Sequence, residues 1–166
     1  MRNRQKRSVV YIAIPLPEGA KLGLASLLEN MQSNKYAWVD VNRAQILLIN
    51  LGNLTEGRAE DAMTALAKTL VKEKAFSVNA VGLGYFAKER TGADPSVGDK
   101  DRNRWVVYMD VPDRAKVLRE FYKDLCKNLS SEGFYPPTHY NPRITLGYLI
   151  DKKASREERE NALETL

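Results

Sequence analysis

Two residue types are almost missing from this chain, and their scarcity removes whole classes of chemistry. Among 166 residues there is one histidine, His139, and one cysteine, Cys126. A zinc centre of Cys and His ligands takes three or four such groups, so none can be assembled from these. No disulfide can close within the chain. A Cys–His nucleophilic pair could come only from Cys126 with His139, and no proton can pass between two imidazoles. Long apolar runs are lacking as well. The N-terminus reads MRNRQKR from Met1 to Arg7, with no stretch suited to a signal peptide or a membrane span. A reducing, cytoplasmic setting without a membrane partner is the expectation. A glycine-rich dinucleotide fingerprint and a phosphate loop are absent, since Gly82-Leu-Gly84 precedes no helical pattern.

What is present suits one compact fold. Hydrophobic residues make up 43% and charged residues 28%, and the formal net charge is +5, which is compatible with anionic partners. Residues 1–7 read as a basic, solvated arm able to touch nucleic acid. A single domain is expected over 8–152, followed by a charged helix over 153–166 that opens with a capping-box spacing from Ser155 to Glu158.

Along the chain, Ser8–Ile14 is β-branched and aromatic and is stopped by Pro15, which predicts a strand. Leu24, Leu27, Leu28 and Met31 recur at helical spacing within residues 18–34. A short strand at Ala37–Val41 and the apolar run Gln45–Leu51 follow, the latter closed by Gly52 and Asn53. Thr55 opens a helix to about Lys72 with Ala59, Met63, Leu66 and Leu70 on the inward stripe. Phe76, Val78 and Ala80 alternate as a strand that continues through Phe86. Residues 91–103 form a polar surface loop, and Trp105–Val111 is a strand. Residues 113–132 form a helix burying Val117, Phe121, Leu125 and Leu129, with Cys126 beside them as core filler. The last strand is Arg143–Ile150. Helices interleaved with returning strands favour an α+β fold over a parallel α/β sheet.

One internal repeat stands out. Gln45-Ile-Leu-Leu-Ile-Asn-Leu51 and Arg143-Ile-Thr-Leu-Gly-Tyr-Leu149 share the form x-Ile-x-Leu-x-x-Leu. Alternation sends Ile46, Leu48, Ile144 and Leu146 to the core. It sends Gln45, Leu47, Arg143 and Thr145 to the opposite side, where neighbouring strands would gather them on one surface.

With these segments in view, the chain resembles the 2H (two-histidine) phosphoesterases. These are the LigT-like RNA 2′,5′-ligases and 2′,3′-cyclic phosphodiesterases. VVYIAIPLPEG, the Trp38 strand, QILLINLGNL, FSVNAVGLGYF, RWVVYMDV and YNPRITLGYL stand in the order seen in that family, from Val9 to Leu149. The resemblance implies a bilobal, pseudo-symmetric fold with two antiparallel sheets around a central cleft and helices outside. It also implies a His-x-Thr/Ser strand motif in each lobe. The first such His falls on Gln45 and its Thr on Leu47; the second His falls on Arg143, and its Thr on Thr145. Only Thr145 keeps the pattern.

Neither replacement carries protons. Glutamine has no titrating group, and an arginine guanidinium stays protonated, so it can grip phosphate without acting as base. The resemblance therefore implies a catalytically degenerate binder of a phosphate-containing ligand, an RNA end or a small (including cyclic) nucleotide, with no cofactor or metal. Gln45, Arg143, Thr145, Tyr36 and His139 are the candidate ligand-binding residues. Trp38 and Tyr140 are further stacking candidates, and Trp38 in an apolar strand reads as core. Tyr148 points away in an unbroken strand. Lys100, Arg102 and Arg104 could guide an anion from the polar loop. Two other readings stay open. One is an active phosphodiesterase with acid and base moved, for instance to His139. The other is a protein-interaction module whose first half is made greasy by Leu47 and Ile49.

Overall fold

The structure is a computed structural model and describes residues 6–31, 36–87, 105–113 and 116–149. The elements are β1 (Arg7–Pro15), α1 (Glu18–Asn30), β2 (Tyr36–Trp38), β3 (Gln45–Thr55), α2 (Glu56–Leu70), β4 (Val81–Ala87), β5 (Trp105–Asp110), α3 (Val117–Ser131) and β6 (Arg143–Leu149), with a 3₁₀ turn at Val41–Arg43. Strands β2, β3 and β5 run antiparallel to β6, and β4 runs antiparallel to β5. The fold is α+β, as the element order implied. Among the described residues no helix is long and apolar enough to cross a membrane. The polar loop over 91–103, the helix expected from Ser155 and residues 1–5 of the basic arm lie outside the described residues.

The chain forms two compact units. One is built from the described residues up to Ile14, from Leu47–Asn79 and from Val111–Pro142; the other is built from Pro15–Ile46, Ala80–Asp110 and the described residues from Arg143. In the first unit, α2 packs on α3 over a core that includes Leu48, Ile49, Ala65, Phe121, Leu125 and Leu129. The buried stripe of α2 is Ala62, Ala65 and Thr69; of the larger residues expected there, Leu66 packs against this core, while Met63 and Leu70 are exposed at 69% and 52%. Small side chains let the two helix backbones approach, while Phe121 and the α3 leucines supply the volume. The carboxylate of Asp113 accepts the N–H groups of Leu118 (3.2 Å) and Arg119 (2.8 Å). It thereby satisfies donors at the start of α3 that helical bonding leaves open.

Arg58 closes the other end of α3. Its Nη1 donates to the carboxylate of Asp61 and to the carbonyl of Glu132, both at 2.7 Å, and its Nη2 donates to the carbonyl of Gly133 at 3.2 Å. The same guanidinium lies 4.0 Å from the ring centroid of Phe134, which is buried.

Two strand expectations change. β3 does not stop at Gly52 but runs on to Thr55. Gly52 adopts φ +72°, and Asn50 Oδ1 accepts its N–H at 2.9 Å, so the glycine bends the strand instead of ending it. Conversely, Phe76, Val78 and Ala80 form no strand; regular pairing begins at Val81, where β5 supplies a partner. Alternation without a neighbouring ladder leaves Phe76 and Val78 exposed.

Candidate functional site

The repeated segments are strands β3 and β6, and their burial follows one shared rhythm. Ile46, Leu48 and Ile49 are buried in β3, as are Ile144, Leu146, Gly147 and Leu149 in β6. Both strands thus place two consecutive residues inward, Leu48-Ile49 and Leu146-Gly147, where strict alternation allows one. In β6 the register shows why: Thr145 pairs with Tyr108 while Gly147 pairs with Val107, so Leu146 is an extra residue against β5. This is a β-bulge, and beyond it the alternation is reversed. In β6 the Leu146-x-x-Leu149 spacing is the sequence trace of that extra residue.

The bulge decides which side chains share the site face of the second unit. Arg143 pairs with Asp110 and Thr145 with Tyr108, all on one side. The antiparallel pair Ile46–Ile144 sets Gln45 across from Thr145 on that same side. Past the bulge Tyr148 pairs with Val106, two residues from Tyr108 on β5, so Tyr148 returns to the face of Thr145 rather than pointing away as an unbroken strand would require. The Arg143 guanidinium carbon lies 5.3 Å from the centroid of the Tyr108 ring. That ring covers Gly84, where a Cβ would sit 2.5 Å from it, so the glycine provides the floor on which Tyr108 lies. Gln45, Tyr108, Arg143, Thr145 and Tyr148 are all partly exposed on this face.

The same reversal removes Tyr36. It pairs with Leu149 and stacks on Trp38 with centroids 5.0 Å apart, and Trp38 in turn covers Gly147. Tyr36 and Trp38 therefore belong to the inward side; Tyr36 is 7% exposed, and burial raises its hydroxyl pKa.

The remaining candidates belong to the first unit. Leu47 is 46% exposed, and Ile49 is in the core rather than beside it. His139 is exposed in the connector after α3. Tyr140 is stacked on Tyr122 at 4.4 Å and packed against the core, with burial, then the charges of Asp113 and Tyr122, raising its pKa. Burial also pushes the Cys126 thiol up, partly offset by its hydrogen bond with Tyr122, which suits a core filler and not a nucleophile. The structure brings together Gln45, Arg143 and Thr145, and adds Tyr108 and Tyr148 to them. Lys100, Arg102 and Arg104 lie outside the described residues.

Neither a protein-family model nor a curated protein matches the sequence. Solved structures do. TT0787 of Thermus thermophilus superposes with a TM-score of 0.68 at 19% identity, over 90% of this chain and 78% of that one. LigT of E. coli, solved in complex with 3′-AMP, gives 0.63 at 14% identity over 90% and 77%. The MHV ns2 PDE domain gives 0.54 at 16% identity over 89% and 86%. The α+β architecture, with an antiparallel sheet and three α-helices among the described residues, matches these proteins: the chain has the LigT-like 2H phosphoesterase fold.

Proposed function

We propose that this chain binds a phosphate-containing ligand, an RNA end or a small (including cyclic) nucleotide, on the face of β6 and does not turn it over. The observation that carries the reading is the convergence of Gln45, Arg143 and Thr145 across the Ile46–Ile144 pair, with Tyr108 under the guanidinium. Arg143 offers a planar fork of donors matched to phosphate oxygens, Thr145 adds a hydroxyl, and Gln45 adds an amide that both donates and accepts. The Tyr108 and Tyr148 rings supply flat apolar surface for a base or ribose. LigT of the same fold was solved with 3′-AMP and with phosphate, which supports the ligand class.

The reading without turnover is supported by the residue types on this face. General acid–base transfer at a phosphodiester uses two groups that exchange protons near neutral pH. The chain's one histidine belongs to the first unit, and among the described residues the face carries the acid Asp110, paired with Arg143 on the neighbouring strand. Titration calorimetry with 3′-AMP, a 2′,3′-cyclic nucleotide and a short RNA carrying a 2′,3′-cyclic end tests the reading. At least one of them should bind wild type, and Arg143→Ala should weaken it by roughly 10–150-fold, the range expected for a lost charge-assisted contact. No heat with any of the three up to millimolar concentration overturns it, and so does equal binding by the variant.

A further inference from the structure

The first unit holds a second place with the chemistry of an anion site, one that takes no residue from β3 or β6. Where α2 ends against the middle of α3, a groove of about 390 Å³ is lined by Lys68, Lys72 and Lys127, with Thr69, Asp124 and Asn128 among its walls. Its polar floor is hydrogen-bonded. Thr69 is 2% exposed, its hydroxyl donates to the carbonyl of Ala65 at 2.9 Å, and it accepts from Asn128 Nδ2, also at 2.9 Å. That bond uses one Nδ2 hydrogen of Asn128 and fixes the amide plane at the groove. Val71, 85% exposed, gives the rim an apolar lip.

The C-terminal end of α2 favours two of the three lysines, Lys68 and Lys72, and leaves Lys127 to be explained otherwise. Lys68 is in the last turn of α2 and pairs with Glu132 at 2.6 Å. Lys72 lies beyond the helix end, and Lys127 lies outside the last turn of α3, which contains no basic residue. Neither makes an ion pair with a described residue, although Asp124 stands three positions before Lys127 on the same helix. An ammonium group just past the end of α2 and one on α3 thus flank a volume that falls in the range of small-ligand sites, over a hydrogen-bonding floor.

We propose that this groove binds a phosphate group, with Lys72 and Lys127 as its cations and the Asn128 amide as a neutral donor. The phosphate has two sources with the same chemistry, a nucleic-acid backbone and a free phosphate or mononucleotide. The proposal is independent of the β6 site, because no residue is shared.

The test uses the full chain and three probes: a single-stranded RNA with hydroxyl ends, 3′-AMP and inorganic phosphate. Affinity is read by anisotropy for the RNA, and by the chemical shifts of the Asn128 side-chain amide for all three. Lys72→Ala/Lys127→Ala should weaken the probe that binds by about tenfold or more. For the RNA it should also lower the slope of log affinity against log salt by about 0.7 per lysine. Lys72→Arg/Lys127→Arg should restore binding. Asn128 shifts produced by RNA alone assign the backbone as the source, and saturable shifts with phosphate or 3′-AMP assign the free anion; both support the site. RNA affinity and salt slope unchanged in the alanine variant, together with no Asn128 shift from any probe, overturn it. Binding lost in Arg143→Ala but intact in the lysine variant overturns it while leaving the β6 site standing.

Discussion

Replacing Gly147 by alanine puts the bulge, the pivot of the site's geometry, under direct strain. A Cβ at this position would stand 2.6 Å from Cε3 of Trp38, 2.7 Å from the carbonyl oxygen of Ala37 and 3.2 Å from Cα of Trp38. Two of the three atoms are backbone of β2, which is hydrogen-bonded to β6 at this residue, so rotating a side chain cannot relieve the clash. Overpacking of this kind costs about 1–3 kcal/mol. The reduced freedom of the unfolded chain returns about 0.4–1 kcal/mol. The net destabilisation expected for Gly147→Ala is therefore about 0.5–2 kcal/mol. Gly23→Ala in α1 is the matched control. It meets nothing within 4 Å at a helical position, and it should stabilise by about 0.5–1 kcal/mol. Urea unfolding followed by tryptophan fluorescence reads both, since Trp38 is the side chain being displaced. Equal midpoints for wild type and Gly147→Ala, or effects of the same sign in the two variants, would refute the reasoning.

Arg58→Ala removes two carbonyl contacts at the end of α3 and the stacking over Phe134. Because the side chain is partly exposed, the expected loss is about 1–3 kcal/mol, read as a lowered urea midpoint, while Arg58→Lys should recover only part of it. Gly84→Ala should leave the fold standing but tilt Tyr108 from beneath Arg143, weakening ligand binding several-fold in calorimetry. Stability should fall at alkaline pH. Burial raises the pKa values of Tyr36, Tyr122, Tyr140 and Cys126, so the folded chain keeps protons that the unfolded chain releases. The stabilisation is complete below the unfolded values, roughly 8.5–10, and is lost as pH rises through them toward the folded ones. Each such group removes about 1.4 kcal/mol per pH unit there. Urea midpoints at pH 7, 9 and 10.5 should decline in that order, and a flat profile would contradict the assignment.

Much of the fold was legible because it rests on local signals. The prolines after β1, the leucine stripe of α3 and the Ile–Leu alternation of the two repeats each match the observed element. What escaped depends on partners that sequence does not name. The inward face of α2 is set by how closely α3 approaches, which favoured Ala62 and Ala65 over Met63. The stretch from Phe76 to Ala80 alternates correctly but pairs with no strand among the described residues. At the candidate site, Arg143 and Thr145 precede the bulge in β6 and Gln45 faces them across the Ile46–Ile144 pair, so plain alternation gathers the three. Tyr36 and Tyr148 exchange roles because they follow or flank the bulge, and strict period-two reasoning takes no account of an inserted residue. The Leu146-x-x-Leu149 gap in β6 was the available clue. Tyr108 could not be found from spacing, since it reaches the face only through the register of β5 on β6.

Phosphorus NMR of a 2′,3′-cyclic nucleotide mixed with an equal amount of the purified chain, without added metal, tests binding and chemistry in one spectrum. A shifted or broadened cyclic-phosphate resonance that persists for hours, and that returns to its free position with Arg143→Ala, is the predicted result. Growth of a 2′- or 3′-phosphomonoester signal at a rate set by protein concentration would contradict it.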